Sequence, residues 1–184
     1  MGKLLVNGIA EADDLELVGA IEAPGVPDLG KADGEVAGAG ALLMALHPDW
    51  TAAEVQSALM STSVTTVVDN DGATQADPFA MGAGRVDLAQ AGLAGLLFDE
   101  TTAAFEAADP ADGGDPSSLN LPSMGQDQCV GTCSWTRTVE NAMAVAGNWT
   151  ASTTAEAGMG LSVSPSSFSL DPGETQEIVI TADV

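Results

Sequence analysis

The apolar pattern of this chain changes its period near residue 110, and this change predicts a two-part architecture. Before that point the sequence is rich in Ala, Leu and Gly with helical spacing, whereas after it apolar residues alternate with Ser, Thr and charged residues. Residues 107–118, AADPADGGDPSS, contain Pro, Gly and Asp without an apolar period, which is typical of a linker. We therefore predict one domain over residues 1–106 and a second over residues 119–184.

The first part carries the pattern of short strands and three helices. The apolar runs KLLVNG and LELVGAI predict two buried strands near the start of the chain. Residues 36–46 are apolar on every side, which predicts a helix buried at the centre of a larger domain. A third helix is predicted over residues 86–94. We expect this part to be α/β.

The second of these helices has a clear start signal after the sequence HPDW. Thr51 is a candidate N-cap, and Glu54 three residues later completes a capping box. Val55, Ala58 and Leu59 have the spacing of a buried stripe.

The second part has the period-two alternation of strands. The segments SWTRTVEN, GNWTASTTAE, GLSVSPSSFSL and TQEIVITADV are separated by turn signals such as DPGE. Regularly spaced short strands of this kind predict an all-β antiparallel sandwich. We expect Trp149 to fill its core with Trp135 as its partner, and an exposed ring would instead indicate carbohydrate or peptide contact.

The charge of the chain excludes two classes of partner. Asp and Glu number 27 against 4 Lys and Arg, so the formal net charge is −23. Such a field repels nucleic-acid phosphates and anionic lipid. We expect no nucleic-acid and no membrane partner. The acidity suits a protein kept soluble in salty surroundings and equally an ordinary acidic secreted protein.

Hydrophobic residues make up 45% of the chain, which is enough to build a core despite the charge. No apolar run reaches the roughly 20 residues of a membrane-spanning helix, and we expect any export signal to lie outside this sequence.

The chain has two cysteines, Cys129 and Cys133, in the sequence CVGTC. The intervening glycine allows a tight local disulfide, with free thiols and a metal site as the alternatives. Zinc would need further ligands, and the chain offers only His47. A disulfide would indicate an oxidising compartment.

Asp69, Asp71 and Asp77 are the candidate ligands for a metal. The sequence DNDG begins like a calcium loop, but the twelfth residue counted from Asp69 is Ala80 rather than Glu, so the EF-hand pattern fails. The three carboxylates could still form an irregular calcium site, and the alternative is a solvated turn. We otherwise expect no cofactor.

Several stretches, in order, resemble one enzyme family. Residues 36–63 and the segment DPFAMGAGRVDLAQA resemble the closing portion of the catalytic domain of subtilisin-like serine proteases, or subtilases. EAPGV at residues 22–26 is similar to the stretch before the catalytic serine of that family. SSLNLPSM, TRTVEN and residues 160–184 resemble the fibronectin type III-like domain that follows the catalytic domain in plant and some bacterial subtilases.

The resemblance also implies that the catalytic machinery is missing. Subtilases enter the buried helix through G-T-S-M-x-x-P-H-V-x-G, and this chain matches only the end of that motif, at residues 36–38. Counting back places the nucleophilic serine on Gly30, which has no side chain to form an acyl intermediate. The one histidine, His47, lies in the elbow between two helices, where the resemblance implies a structural role. We expect no catalytic residue in this chain.

The function implied is that of a non-catalytic C-terminal portion of an exported subtilisin-like serine endopeptidase, inactive alone. The parent reaction would be peptide-bond hydrolysis, and the sandwich would influence stability or substrate access. The expected partners are the rest of the protease domain, a second copy bound through an exposed apolar helix at residues 36–46, and protein substrates of the parent enzyme. The alternatives are a sandwich that binds a protein or glycan partner, and a weak hydrolase with an unrecognised site.

Overall fold

The computed structural model describes residues 29–126 and 128–184, with side chains from residue 36 onward. The chain divides into two compact units, residues 1–50 and residues 51–184. The two strands predicted near the start of the chain lie outside the described residues.

In the first unit, helix α1 spans Leu29–Leu46 and starts seven residues before the helix predicted over residues 36–46. It ends where Pro48 would deprive the next turn of an N–H donor. Ala39 and Leu43 are buried, whereas other large apolar side chains of the helix are exposed: Val36, Leu42, Met44 and Leu46. The helix is therefore less completely buried than its composition predicts.

The second unit begins with helix α2, Ala52–Ser61, whose start follows the predicted chemistry. The Thr51 hydroxyl accepts the Glu54 N–H, and the Glu54 carboxylate accepts the Thr51 N–H, so the capping box is complete. Val55 and Ala58 are buried as predicted, while Leu59 is only half-buried. Ser57 is also buried and accepts the Phe98 N–H at 2.9 Å.

Three short helices follow: α3 at Pro78–Met81, α4 at Leu88–Ala91 and α5 at Thr102–Ala107. The predicted third helix over residues 86–94 is therefore too long, since only α4 forms. Gly92 ends it, and the chain then turns into strand β1, Leu96–Leu97. The close packing of the Trp149 ring against Gly95 leaves no room for a Cβ atom there.

The segment between α2 and α4 is closed by a short antiparallel bridge. Val64 and Arg85 exchange both main-chain hydrogen bonds, at 2.8 and 3.0 Å. Gly84 has a φ of +119°, and a Cβ atom at that position would lie 2.6 Å from the Val64 carbonyl oxygen. Glycine is required there because the two chain segments approach so closely.

The remaining strands belong to two antiparallel sheets. They are β2 at Thr132–Asn141, β3 at Gly147–Thr150, β4 at Gly160–Ser164, β5 at Ser167–Leu170 and β6 at Thr175–Asp183. One sheet has the order β1-β2-β6-β4, and the other pairs β3 with β5. This arrangement of mostly antiparallel sheet agrees with the predicted all-β second part.

The inner face of the four-stranded sheet holds the core of this unit. Odd-numbered residues of β2 point inward, and Val139 is 2% exposed while Asn141 is 1% exposed. The Asn141 amide donates to the carbonyl oxygens of Leu170, on β5, and of Val145. A buried amide thus connects the two sheets, since both of its donor hydrogens are used.

The segment predicted as a linker is folded into capped turns. Two short 3-10 turns, Pro110–Asp112 and Pro116–Ser118, begin at Asp109 and Asp115, whose carboxylates accept main-chain N–H groups. Strand β1 also pairs with β2, so residues on both sides of the segment share one sheet. The boundary at residues 107–118 stays a prediction.

Candidate functional site

Gly30, on which the subtilase nucleophile falls when the motif is counted back, lies at the start of a helix. Gly30 is the second residue of α1. At the other end of α1, the His47 ring stacks on Trp50 with the centroids 3.8 Å apart and the planes within 7°. The Trp50 N–H also donates to the His47 carbonyl oxygen at 3.1 Å. The ring of the one histidine is therefore held in the elbow, as expected of a structural residue.

Two of the calcium candidates have their oxygen atoms engaged in local turns. Asp71 accepts the N–H groups of Ala73 and Thr74 and the Thr74 hydroxyl. These hydrogen bonds lower the pKa of Asp71 to about 2, and the bond from the Thr74 hydroxyl has the largest effect. Asp77 caps α3 by accepting the N–H groups of Phe79 and Ala80. Within the described residues, no group of three or more acidic, His or Cys residues is placed to hold a metal. The calcium site stays a prediction.

Cys129 and Cys133 form a disulfide, with an S–S distance of 2.00 Å. The structure thus selects one of the three states that the sequence left open. The disulfide closes the loop that leads into β2, where the Val184 N–H donates to the Gly131 carbonyl oxygen at 2.7 Å.

The two tryptophans predicted to pair lie on different sheets, and no ring contact joins them, so that prediction is wrong. Trp149, on β3, packs against Gly95, and the Met143 side chain lies near the same glycine. Its indole N–H is buried without a hydrogen-bond partner in the described structure. Trp135, on β2, lines an open groove of about 490 Å³. Most of the other groove residues are apolar or lie near the disulfide: Met124, Cys129, Met159, Leu161, Ile180, Ala182 and Val184.

Arg137 is a buried cation at the centre of β2, with 3% of its surface exposed. Its guanidinium donates to the carbonyl oxygens of Leu121 at 2.9 Å, Ser117 at 3.2 Å and Thr136 at 2.8 Å. Burial lowers the pKa of Arg137, and the nearby Glu100 carboxylate opposes that shift. The arginine therefore joins the segment before β2 to the sheet.

A polar pocket of about 440 Å³ opens on the outer face of the sheet, where β1 meets β2. Its lining consists mainly of hydroxyl, amide and carboxylate groups: Asp99, Ser118, Asn120, Thr136, Thr138, Glu140 and Thr175. Asn120 is held in place because its amide exchanges two hydrogen bonds with the main chain of Thr138, both 2.8 Å long.

Carboxylates dominate the electrostatics of this polar pocket. Partial burial raises the pKa of Glu140. The negative charges of Glu54 and Asp99 raise it further, by smaller amounts. Asp99 accepts a hydrogen bond from the Thr51 hydroxyl at 2.8 Å. Among the described residues, none donates a hydrogen bond to the Glu140 side chain. The pocket can therefore attract a cation or a hydrogen-bond donor.

Sequence reasoning did not find this pocket. Its members come from positions 97–99, 118–120, 136–140 and 175, which no local motif connects. The alternation of Thr136, Thr138 and Glu140 predicts a shared outer face of β2, but the residues opposite them depend on strand pairing.

Comparison with known proteins gives matches over most of the chain. Residues 118–184 match the family model of the fibronectin type-III domain. The chain is 30% identical over 183 residues to Subtilisin-like protease SBT2.5 of Arabidopsis thaliana, covering 81% of this chain and 22% of that protein. It is 32% identical over 159 residues to Subtilisin-like protease SBT1.7 of the same plant, covering 71% and 21%.

The end of the chain is thus a fibronectin type III-like domain, as its antiparallel strands indicate. The chain as a whole is a subtilase C-terminal region that includes this domain. It spans about a fifth of the length of the curated relatives it matches.

In the part of the chain that the structure describes, none of the helices combines the length and hydrophobicity that a bilayer crossing requires.

Proposed function

We propose that this chain is a non-catalytic C-terminal portion of an exported subtilisin-like serine endopeptidase. Its fibronectin type III-like domain would support the stability of the protease domain or the access of substrate to it. The parent enzyme would hydrolyse peptide bonds of protein substrates.

The observation that carries this proposal is the placement of the only histidine in the sequence, whose ring stacks on a tryptophan. A serine protease site needs a histidine that contacts the nucleophile and is oriented by a carboxylate. His47 is the only histidine in the sequence, and its ring stacks on Trp50. Gly30, at the position of the family's serine, offers no nucleophile. The relatives supply the other support, because they are named as subtilisin-like proteases and match most of this chain.

A fluorophosphonate serine probe and a casein hydrolysis assay test the non-catalytic role. We expect neither labelling nor hydrolysis with this chain, while a subtilisin treated in parallel gives both. His47→Ala serves as an internal control, because any trace activity that survives this substitution cannot use a histidine base.

Specific labelling of one serine, together with hydrolysis that the probe abolishes, would contradict the proposal. In that case, replacement of the labelled serine by alanine would identify the nucleophile. Hydrolysis without labelling would also contradict it, because it would require a different catalytic chemistry in this chain.

A further inference from the structure

Strand β2 has an open edge beside the polar pocket. On one side β2 pairs with β6 over its whole length, whereas on the other side β1 reaches only Glu140 and Asn141. The Thr138 N–H and C=O both bond to the Asn120 side chain, so they point away from β6. Main-chain groups alternate in direction along an antiparallel strand, so those of Ser134 and Thr136 also point to this side.

These groups are available to a new strand. Thr132, Ser134 and Thr136 are all exposed. The Thr136 carbonyl oxygen accepts one hydrogen bond from its neighbour Arg137. Within the described residues, no strand pairs with β2 on this side before Glu140. Extended peptides bind to such edges through main-chain hydrogen bonds.

The negative charge at the end of this edge favours a peptide that carries a positive charge. Thr136 belongs both to the open edge and to the polar pocket, which holds Asp99 and Glu140 and has no Lys or Arg in its lining. A strand added at Thr132–Thr136 would end where Asn120 covers Thr138. An outward-facing side chain near that end would lie beside the two carboxylates, and a cation there would offset their repulsion.

We propose that the β2 edge, residues 132–136, binds an extended peptide segment of a partner protein and that a Lys or Arg side chain of this segment enters the polar pocket. A second copy of the chain fits this edge poorly, because it carries the same pocket and a net charge of −23. The proposal concerns a peptide partner and does not depend on the proposed protease role.

The charge component is tested with a fluorescently labelled peptide, Thr-Val-Lys-Val-Thr, and its norleucine analogue, measured by anisotropy at low ionic strength. We expect the norleucine peptide to bind the chain about twofold to fivefold more weakly, in keeping with the strength of exposed ion pairs. Glu140→Gln should weaken binding of the Lys peptide by a similar factor and leave the affinity for the norleucine peptide unchanged. Glu177→Gln is the matched control, since Glu177 lies opposite Thr138 on the same outer face but outside the pocket.

The strand component is tested by N-methylation of the peptide. Methylation at the two Val residues and methylation at Lys block opposite sets of N–H groups. Only the set that faces β2 should matter, so we expect one peptide to lose about tenfold in affinity and the other to bind normally.

The proposal is overturned if the Lys peptide shows no binding at about 1 mM, the weak limit of a measurable complex. It is also overturned if the two glutamate variants behave alike, or if the two methylated peptides do. A dimer in light scattering whose formation the peptide does not inhibit would assign the edge to a second copy, which would overturn it as well.

Discussion

Arg137 is the residue whose role differs most from the usual behaviour of its type. Arginine is seldom fully buried without a partner, and here three main-chain carbonyl oxygens accept its hydrogen bonds. Two of those carbonyls belong to Ser117 and Leu121, which precede β2. The side chain therefore holds the segment before β2 against the strand.

We expect Arg137→Met to destabilise the fold by about 3 kcal/mol, because three carbonyl oxygens would lose a charged donor that is itself buried. Arg137→Lys should retain part of this stability, since its ammonium can serve fewer of these acceptors at once. Denaturant unfolding measures both, and Arg85→Lys, at an exposed position, is the control. Wild-type stability in the Met variant would show that the guanidinium does not stabilise the fold.

Asp71 provides a test of local hydrogen bonding. Its pKa is about 2 in the folded chain, chiefly because the Thr74 hydroxyl bonds to the carboxylate. We expect carboxyl NMR to show this midpoint and Thr74→Val to raise it. Because the folded pKa lies below the unfolded one, this group stabilises the fold above the unfolded pKa, and the contribution disappears as the pH falls towards 2. Thr66→Val, at an exposed threonine of the same segment, should leave the Asp71 midpoint unchanged.

At the scale of elements, local signals define the start of α2 better than the end of α4. The capping box of Thr51 and Glu54 involves residues three apart, so the sequence contains all of its chemistry. Helix α4 ends at Gly92, and Trp149 packs against Gly95 just before β1 begins. Apolar residues continue past Gly92 at positions 93 and 94, which is why the predicted helix over residues 86–94 is too long.

A buried hydroxyl, that of Ser57, joins helix α2 to the chain beyond β1. Ser57→Ala removes the acceptor of the Phe98 N–H, so we expect a loss of about 1–3 kcal/mol in unfolding free energy. Ser61→Ala is the matched control, because its exposed hydroxyl bonds only to a carbonyl of the same helix. Equal stability of the two variants would mean that water replaces the Ser57 hydroxyl without cost.

At the scale of the whole molecule, charge is the dominant feature. A net charge of −23 produces self-repulsion that weakens the compact state and that salt screens. We expect an increase in NaCl from 20 to about 500 mM to raise the Tm by about 2–4 °C, which corresponds to about 1 kcal/mol for a chain of this size. The increase in Tm with salt should be smaller near pH 4, where carboxylates become protonated. A Tm that is independent of salt at neutral pH would contradict this.

Short-range chemistry along the chain was sufficient to predict a helix at residues 36–46, the capping box of α2 and the antiparallel strands after residue 119. Each of these depends on residues within a few positions of one another, so periodicity and capping rules apply directly. The cysteine spacing allowed a disulfide but also allowed free thiols, and the structure selected the disulfide between Cys129 and Cys133.

The pairing of distant segments was decided only by the tertiary structure. The register of β1, β2 and β6 brings Asp99, Asn120, Glu140 and Thr175 to one pocket, although up to 76 positions separate them. The same register buries Arg137 and leaves the β2 edge open. Periodicity identifies which residues share a face of a strand, but the neighbours of that face are set by contacts between residues remote in sequence, which no local pattern encodes.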